Sequence, residues 1–223
     1  ISNVPPGDYR VDVLAKARLE AIGKTGGTAR PPGAIRSEFA SQPITVNGDV
    51  DDLLIRTGLG FEMRGRVLLD GAPAPTSVLE KLQVDAMPLL AGQGISNQLL
   101  MASGSARPDG TFVVPGLAGW WLVRLRGLPP GLSLQSVMAS GLDVTDDGVE
   151  ISQDIEGVDI AITTKPTRVT GTVTDANGAP TRDYAVIVFS EDSRQWARLL
   201  TRHVVSANPG ADGRFTVTGL PAG

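Results

Sequence analysis

The chain has no cysteine among its 223 residues, which excludes disulfide staples and thiolate metal sites. That absence leaves the compartment open, since bacterial envelope proteins often do without the residue. One histidine, His203, stands with no second histidine or cysteine beside it, so a zinc peptidase has no ligand set. His203, Ser190 or Ser206 and an aspartate could be drawn as a triad, but no Gly-x-Ser-x-Gly turn supports it, and an ordinary strand or loop histidine is expected. A basic run is also missing, and the net charge is −4, so the electrostatic footprint of a nucleic-acid binder is lacking. No apolar stretch approaches the roughly 18–20 residues that cross a bilayer. The chain opens at Ile1 without an initiating Met or a charged-then-apolar leader, which reads as a processed or excised segment.

Lysine is scarce as well. Lys16, Lys24, Lys81 and Lys165 are the only four, against 16 arginines. None recurs at matching positions, so an intramolecular Lys–Asn/Asp isopeptide, which needs a buried lysine beside a carboxylate, is not expected.

What the chain does contain is an echo of itself. Gly65-Arg66-Val67-Leu68-Leu69-Asp70-Gly71-Ala72-Pro73 returns as Gly171-Thr172-Val173-Thr174-Asp175-Ala176-Asn177-Gly178-Ala179-Pro180, and Asp109-Gly110-Thr111-Phe112 returns as Asp212-Gly213-Arg214-Phe215. The steps from 65 to 171 and from 109 to 212 are 106 and 103 residues, the size of a small β-sandwich. Two more echoes fix the frame: Ile44–Val50 matches Val149–Ile155, and Pro6–Val11 matches Ala118–Val123. Residues 1–57 then read as the C-terminal half of one module, 58–164 as a complete module and 165–223 as the N-terminal half of a further one. Half a sandwich has no closed core. Either the chain is a piece of a longer polypeptide or a neighbouring copy completes the open halves head to tail, and the first is favoured because Leu220-Pro221-Ala222-Gly223 repeats the turn Val4-Pro5-Pro6-Gly7.

Period-two alternation runs through Tyr9/Val11/Val13, Val67/Leu69, Leu82/Val84/Ala86, Phe112/Val114, Trp121/Val123/Leu125, Ile160/Ile162, Val169/Gly171/Val173, Tyr184/Val186/Val188 and Phe215/Val217, the signature of half-buried strands. Asp109-Gly110, Asn177-Gly178 and Asp212-Gly213 tolerate positive φ and suit tight turns. The expected class is all-β, an antiparallel sandwich. Residues 14–21 are rich in helix formers but read better as a strand running into a loop, 193–200 suits one helical turn, and 22–43 reads as a long Gly/Pro-rich loop. Asp8 aligns with Trp120 and Tyr9 with Trp121. Alternation then places Tyr9 and Trp121 in the core and leaves Asp8 and Trp120 facing water.

The run Gly171–Pro180, followed by Asp183–Ser190 and by Asp212-Gly-Arg-Phe-Thr-Val-Thr-Gly-Leu-Pro-Ala-Gly, resembles the carboxypeptidase regulatory-like domain, an Ig-like, transthyretin-like seven-stranded sandwich of bacterial secreted proteins. The resemblance spans nearly the whole chain. It implies tandem β-sandwich modules and no catalytic residues, since the family takes its name from standing beside a catalytic domain. Starch-binding and adhesin sandwiches are related architectures.

The expected function is therefore a non-catalytic structural, scaffold or adhesion segment, extracellular or in the bacterial cell envelope. Its partners would be neighbouring β-sandwich modules or copies of the same chain, with no catalytic residue, cofactor or metal. The alternative is a carbohydrate-binding accessory module, in which exposed aromatic faces stack on sugar rings; Trp120, Trp196 and Tyr184 are the candidates, though only 4% of the chain is aromatic. Clusters at Asp49/Asp51/Asp52, Asp143/Asp146/Asp147 and Glu191/Asp192 follow no EF-hand spacing and read as solvated turn charges. Calcium at a module junction near Asp51 and Asp52 is the competing reading.

Overall fold

Alternation in the sequence becomes alternation of burial. Along Phe61–Leu69 (β3), Met63 and Val67 are buried while Arg64 and Arg66 face water. A computed structural model describes residues 3–14, 38–89, 101–196 and 201–221. It shows an all-β protein built on a central sandwich of two packed sheets.

One central sheet runs in the order β10 (Leu142–Asp143), β9 (Ser133–Ala139), β12 (Ile155–Thr163), β3, β4 (Ala72–Pro73), with β7 (Thr111–Leu117) also paired to β3. The other runs β11 (Val149–Ile151), β8 (Gly119–Arg126), β5 (Gln83–Pro88), β6 (Ala102–Ser105). Between them lie Met63, Phe112, Val114, Trp121, Val123, Val158, Ile160 and Ile162. A one-turn helix, α1 (Thr76–Leu79), was not evident in the sequence; it begins after Pro75 and caps the core with Val78 and Leu79.

The expected purely antiparallel arrangement is corrected at one pair. β12 runs parallel to β3, with Val158 opposite Gly65 and Ile160 opposite Val67. Period-two patterning reports which face a residue takes and carries no information on strand direction, and the first and last strands of the central sandwich need no tight turn between them. Gly65 permits the close approach: a Cβ there would lie 1.9 Å from the Val158 carbonyl oxygen and 2.8 Å from the Phe112 ring.

Before the central sandwich, β1 (Gly7–Leu14) pairs antiparallel with β2 (Phe39–Val46). The loop expected over 22–43 therefore ends earlier, because residues 39–43 pair with 10–14; the part at 22–37 lies outside the described residues, as does nearly all of the helix-rich run 14–21. Beyond the central sandwich, β13 (Arg168–Thr172) pairs with β16 (Arg214–Thr218), and β14 (Val186–Phe189) pairs with β15 (Val204–Ala207). A 3-10 turn occupies Ser193–Gln195 of the possible helical run, whose residues 197–200 are not among those described.

The echoed segments pair in equal registers. Gly65 stands opposite Phe112, and Gly171 opposite Phe215. Gly119 faces Ile151 as Gly7 faces Val46. Turn geometry repeats too: Gly110 and Gly213 take φ of 84° and 70°, and their carbonyls accept the amides of Val67 and Val173 at 2.9 and 2.8 Å.

Tyr9 departs from expectation. It is exposed, its hydroxyl donating to the Pro5 carbonyl at 2.6 Å, because among the described residues β1 has only β2 beside it and no opposing sheet covers its apolar face. Trp121, its counterpart, is buried beneath a complete sandwich.

Candidate functional site

The most heavily engaged polar cluster joins the central sandwich to the segment that follows it. Asp146 sits in the turn between β10 and β11. That turn is fixed by its own side chains: the Asp143 carboxylate accepts the Thr145 amide at 2.9 Å and the Thr145 hydroxyl, while the buried Thr145 hydroxyl oxygen accepts the Val137 amide at 2.7 Å. The geometry aims Asp146 at two guanidinium groups. Arg202, just before β15, donates through Nε at 3.0 Å and Nη2 at 2.6 Å to the two carboxylate oxygens, and its Nη1 reaches the Leu134 carbonyl at 3.0 Å. Arg124 on β8 donates to the same carboxylate at 3.1 Å and to the Thr145 carbonyl at 2.6 Å. His203 Nε2 lies 3.6 Å from it.

These groups are largely withdrawn from water, with side-chain exposures of 18% for Asp146, 16% for Arg202 and 13% for Arg124. Burial alone would raise the Asp146 pKa. The Arg202 hydrogen bonds and the charges of Arg202 and Arg124 outweigh it and hold the carboxyl below its ordinary 3.8. Burial is the leading influence on Arg124 and lowers its pKa, far too little to matter for an arginine near neutrality. Two arginines on one carboxylate make a positioning device: bidentate geometry fixes Arg202, and Arg202 fixes β15 against β9. Solvated turn charge, the role expected for Asp146, is thereby corrected, because partners at 124 and 202 lie too far along the chain for local spacing to reveal.

A second clasp holds the chain as it leaves the sandwich. Asp70, at the β3–β4 turn, accepts the Thr163 hydroxyl at 2.7 Å and the Thr164 hydroxyl at 2.6 Å; these hydrogen bonds lower its pKa, that from Thr164 most. The connection through Lys165 and Pro166 therefore leaves from a fixed point.

The aromatic candidates are placed separately. Trp120 is 46% exposed on β8, opposite Glu150 of β11. Trp196 is 47% exposed, but its ring meets Phe189 edge-on at 5.3 Å and its Nε1 donates to the Ser190 carbonyl at 2.7 Å. Tyr184 is 56% exposed just ahead of β14. Among the described residues Phe189–Trp196 is the one aromatic ring pair. An open groove of about 510 Å³ lies elsewhere, lined by residues including Phe39, Pro43, Arg56, Leu59, Phe61 and Ala118, and none of the three candidates borders it.

Asp49, Asp51 and Asp52 are exposed, and among the described residues no three His, Cys, Asp or Glu side chains are grouped to hold a metal ion. Lys81 and Lys165 are exposed, which removes the burial an isopeptide requires; Lys16 and Lys24 lie outside the described residues. Among the described residues no helix is long and apolar enough to cross a membrane.

No family model matches the chain, and no curated protein matches it. Among solved structures, the Bacillus anthracis TIE protein is similar at 11% identity and a TM-score of 0.29, over 96% of this chain and 36% of that one. The chain thus spans just over a third of that protein's length.

Proposed function

We propose that this chain is a non-catalytic scaffold segment of a secreted or envelope protein, built of tandem sandwich modules of the carboxypeptidase regulatory-like kind. The observation that carries the reading is the equality of register between echoed strand pairs, Gly65–Phe112 with Gly171–Phe215 and Gly119–Ile151 with Gly7–Val46. Equal registers in separate sheets are what repeated modules produce. The Asp146–Arg202 pair supports a scaffold in particular, since it fixes one segment against the next where a hinge would otherwise sit. On this reading the segment's work is to present surfaces at fixed spacing, including adhesive ones at the module ends.

Carbohydrate binding is the second reading, favoured by the exposed Trp120 beside Glu150. A stacking face with a neighbouring acceptor is the minimum a sugar ring needs. Against it stand the separation of the aromatics from the groove and the packing of Trp196 on Phe189. Glycan-array screening of the intact chain, with Trp120→Ala and Trp196→Ala beside it, separates the two. A scaffold retains no glycan; a hit lost in Trp120→Ala overturns that role in favour of the accessory module.

A further inference from the structure

We infer that Asn47 is a site of spontaneous covalent modification, losing its side-chain amide to give aspartate and isoaspartate, while the same dipeptide at Asn177-Gly178 is protected by its turn. This goes beyond the scaffold reading and is independent of it.

The reaction needs only water. The Gly48 nitrogen gives up its proton to solvent and attacks the side-chain carbonyl carbon of Asn47. A nitrogen–carbon bond closes a succinimide ring, the side-chain carbon–nitrogen bond breaks, and ammonia leaves carrying a proton from solvent. Water then opens the ring at either carbonyl, leaving aspartate or isoaspartate, so that water is taken up and ammonia released. Ring closure requires an amide nitrogen that is uncrowded and free of an acceptor. Asn3 precedes Val4, whose branched side chain crowds the nitrogen. Asn208 precedes Pro209, which has no amide proton. Asn97 lies outside the described residues. Asn47 and Asn177 both precede glycine.

Sequence makes these two equal, and the structure separates them. Both asparagines and both glycines are exposed. At the second site the Gly178 amide donates to the Asp175 carbonyl at 3.0 Å, and the Asp175 carboxylate accepts the amides of Asn177 and Ala179, each at 2.9 Å. Gly178 is held there at φ 83°. The nucleophile is occupied, and the turn must open before a ring can close. Asn47 instead stands one residue beyond β2, whose ladder ends with Val46 opposite Gly7. Among the described residues the Gly48 amide has no acceptor, and nothing lies within 4 Å of where a Cβ on Gly48 would stand. This exposure is a property of the turn. In the echo of Ile44–Val50 by Val149–Ile155, Asn47 and Gly48 hold the places of Ser152 and Gln153, which are exposed on the closed central sandwich.

Conversion is one-way, so it marks the age of a molecule. It adds a negative charge to a run that already holds Asp49, Asp51 and Asp52. In the isoaspartate form it also lengthens the main chain by a methylene between β2 and the path to β3.

Peptide mapping by mass spectrometry tests this on the folded chain during incubation at mildly alkaline pH, beside the same chain in concentrated urea. In the folded chain Asn47 is expected to convert about tenfold or more faster than Asn177, because the hydrogen bonds of the second turn must open first. In urea the two sites should convert at similar rates. Gly48→Val, at an open position with ordinary backbone, should block conversion at Asn47 and leave Asn177 as it was. Equal rates at the two sites in the folded chain would overturn the inference, as would the same gap persisting in urea. So would an Asn47 that stays intact over the time Asn177 takes to convert in urea, or one that converts undiminished in Gly48→Val.

Discussion

Two residues are sensitive for different physical reasons, one for its charge and one for its lack of a side chain. Asp146 is the carboxylate shared by two guanidinium groups that are over four-fifths withdrawn from water, so Asp146→Ala removes a negative charge and an acceptor from both. Its expected cost is about 2–4 kcal/mol, read as a shift of the urea midpoint, with Leu142→Ala on the exposed β10 as a near-silent control. Because the folded carboxyl is held below its ordinary 3.8, the stability it contributes is fully present above that value. It is lost as pH falls through the lowered folded value, and unfolding free energy measured from pH 6 to 2 should decline less in Asp146→Asn than in the native chain. Gly65 is sensitive for want of space. A methyl group 1.9 Å from the Val158 carbonyl oxygen must push β12 away, so Gly65→Ala should cost about 3 kcal/mol or more by the same measurement. Asp146 carried no such mark in the sequence, where three acidic residues within five positions look like a hydrated turn.

Strand pairs are the scale at which the equal registers become an experiment. Phe112 and Phe215 occupy equal registers, but Phe112 is fully buried under two sheets and Phe215 only half-buried in a two-stranded one. Phe112→Ala should therefore cost about 3–5 kcal/mol, and Phe215→Ala less than half of that in the monomeric chain, as thermal denaturation would show. Strand existence and facing were legible in the sequence because alternation is a local property: Trp121 falls inside and Trp120 outside as the pattern of Gly119–Arg126 dictates. Direction, partner and cover are non-local. The parallel pairing of β12, the ending of the 22–43 loop at β2 and the exposure of Tyr9 all depend on which strand comes alongside, and no window of residues contains that information. Arg124 and Arg202 were missed for the same reason, lying 22 and 56 residues from the carboxylate they share.

For the molecule as a whole, burial is concentrated between residues 61 and 163, where two sheets face one another, while among the described residues β1–β2, β13–β16 and β14–β15 form two-stranded sheets, the last tied to the sandwich through Arg202. Amide exchange at low protein concentration should follow that division, slowest in β3, β8 and β12 and faster in the three pairs, which open without breaking the central core. Equal protection throughout would mean that the flanking sheets are covered in solution. The pairing of β3 with β12 also settles how the central sandwich meets a load. Its chain enters at one end of β3 and leaves at the opposite end of the neighbouring parallel strand, so tension on the polypeptide slides the two strands past each other in shear. All the ladder bonds between them then bear the pull together, whereas a hairpin would surrender its bonds one at a time like a zip. The residue that lets those strands lie so close, Gly65, is on this account also the seat of the sandwich's resistance to being pulled apart.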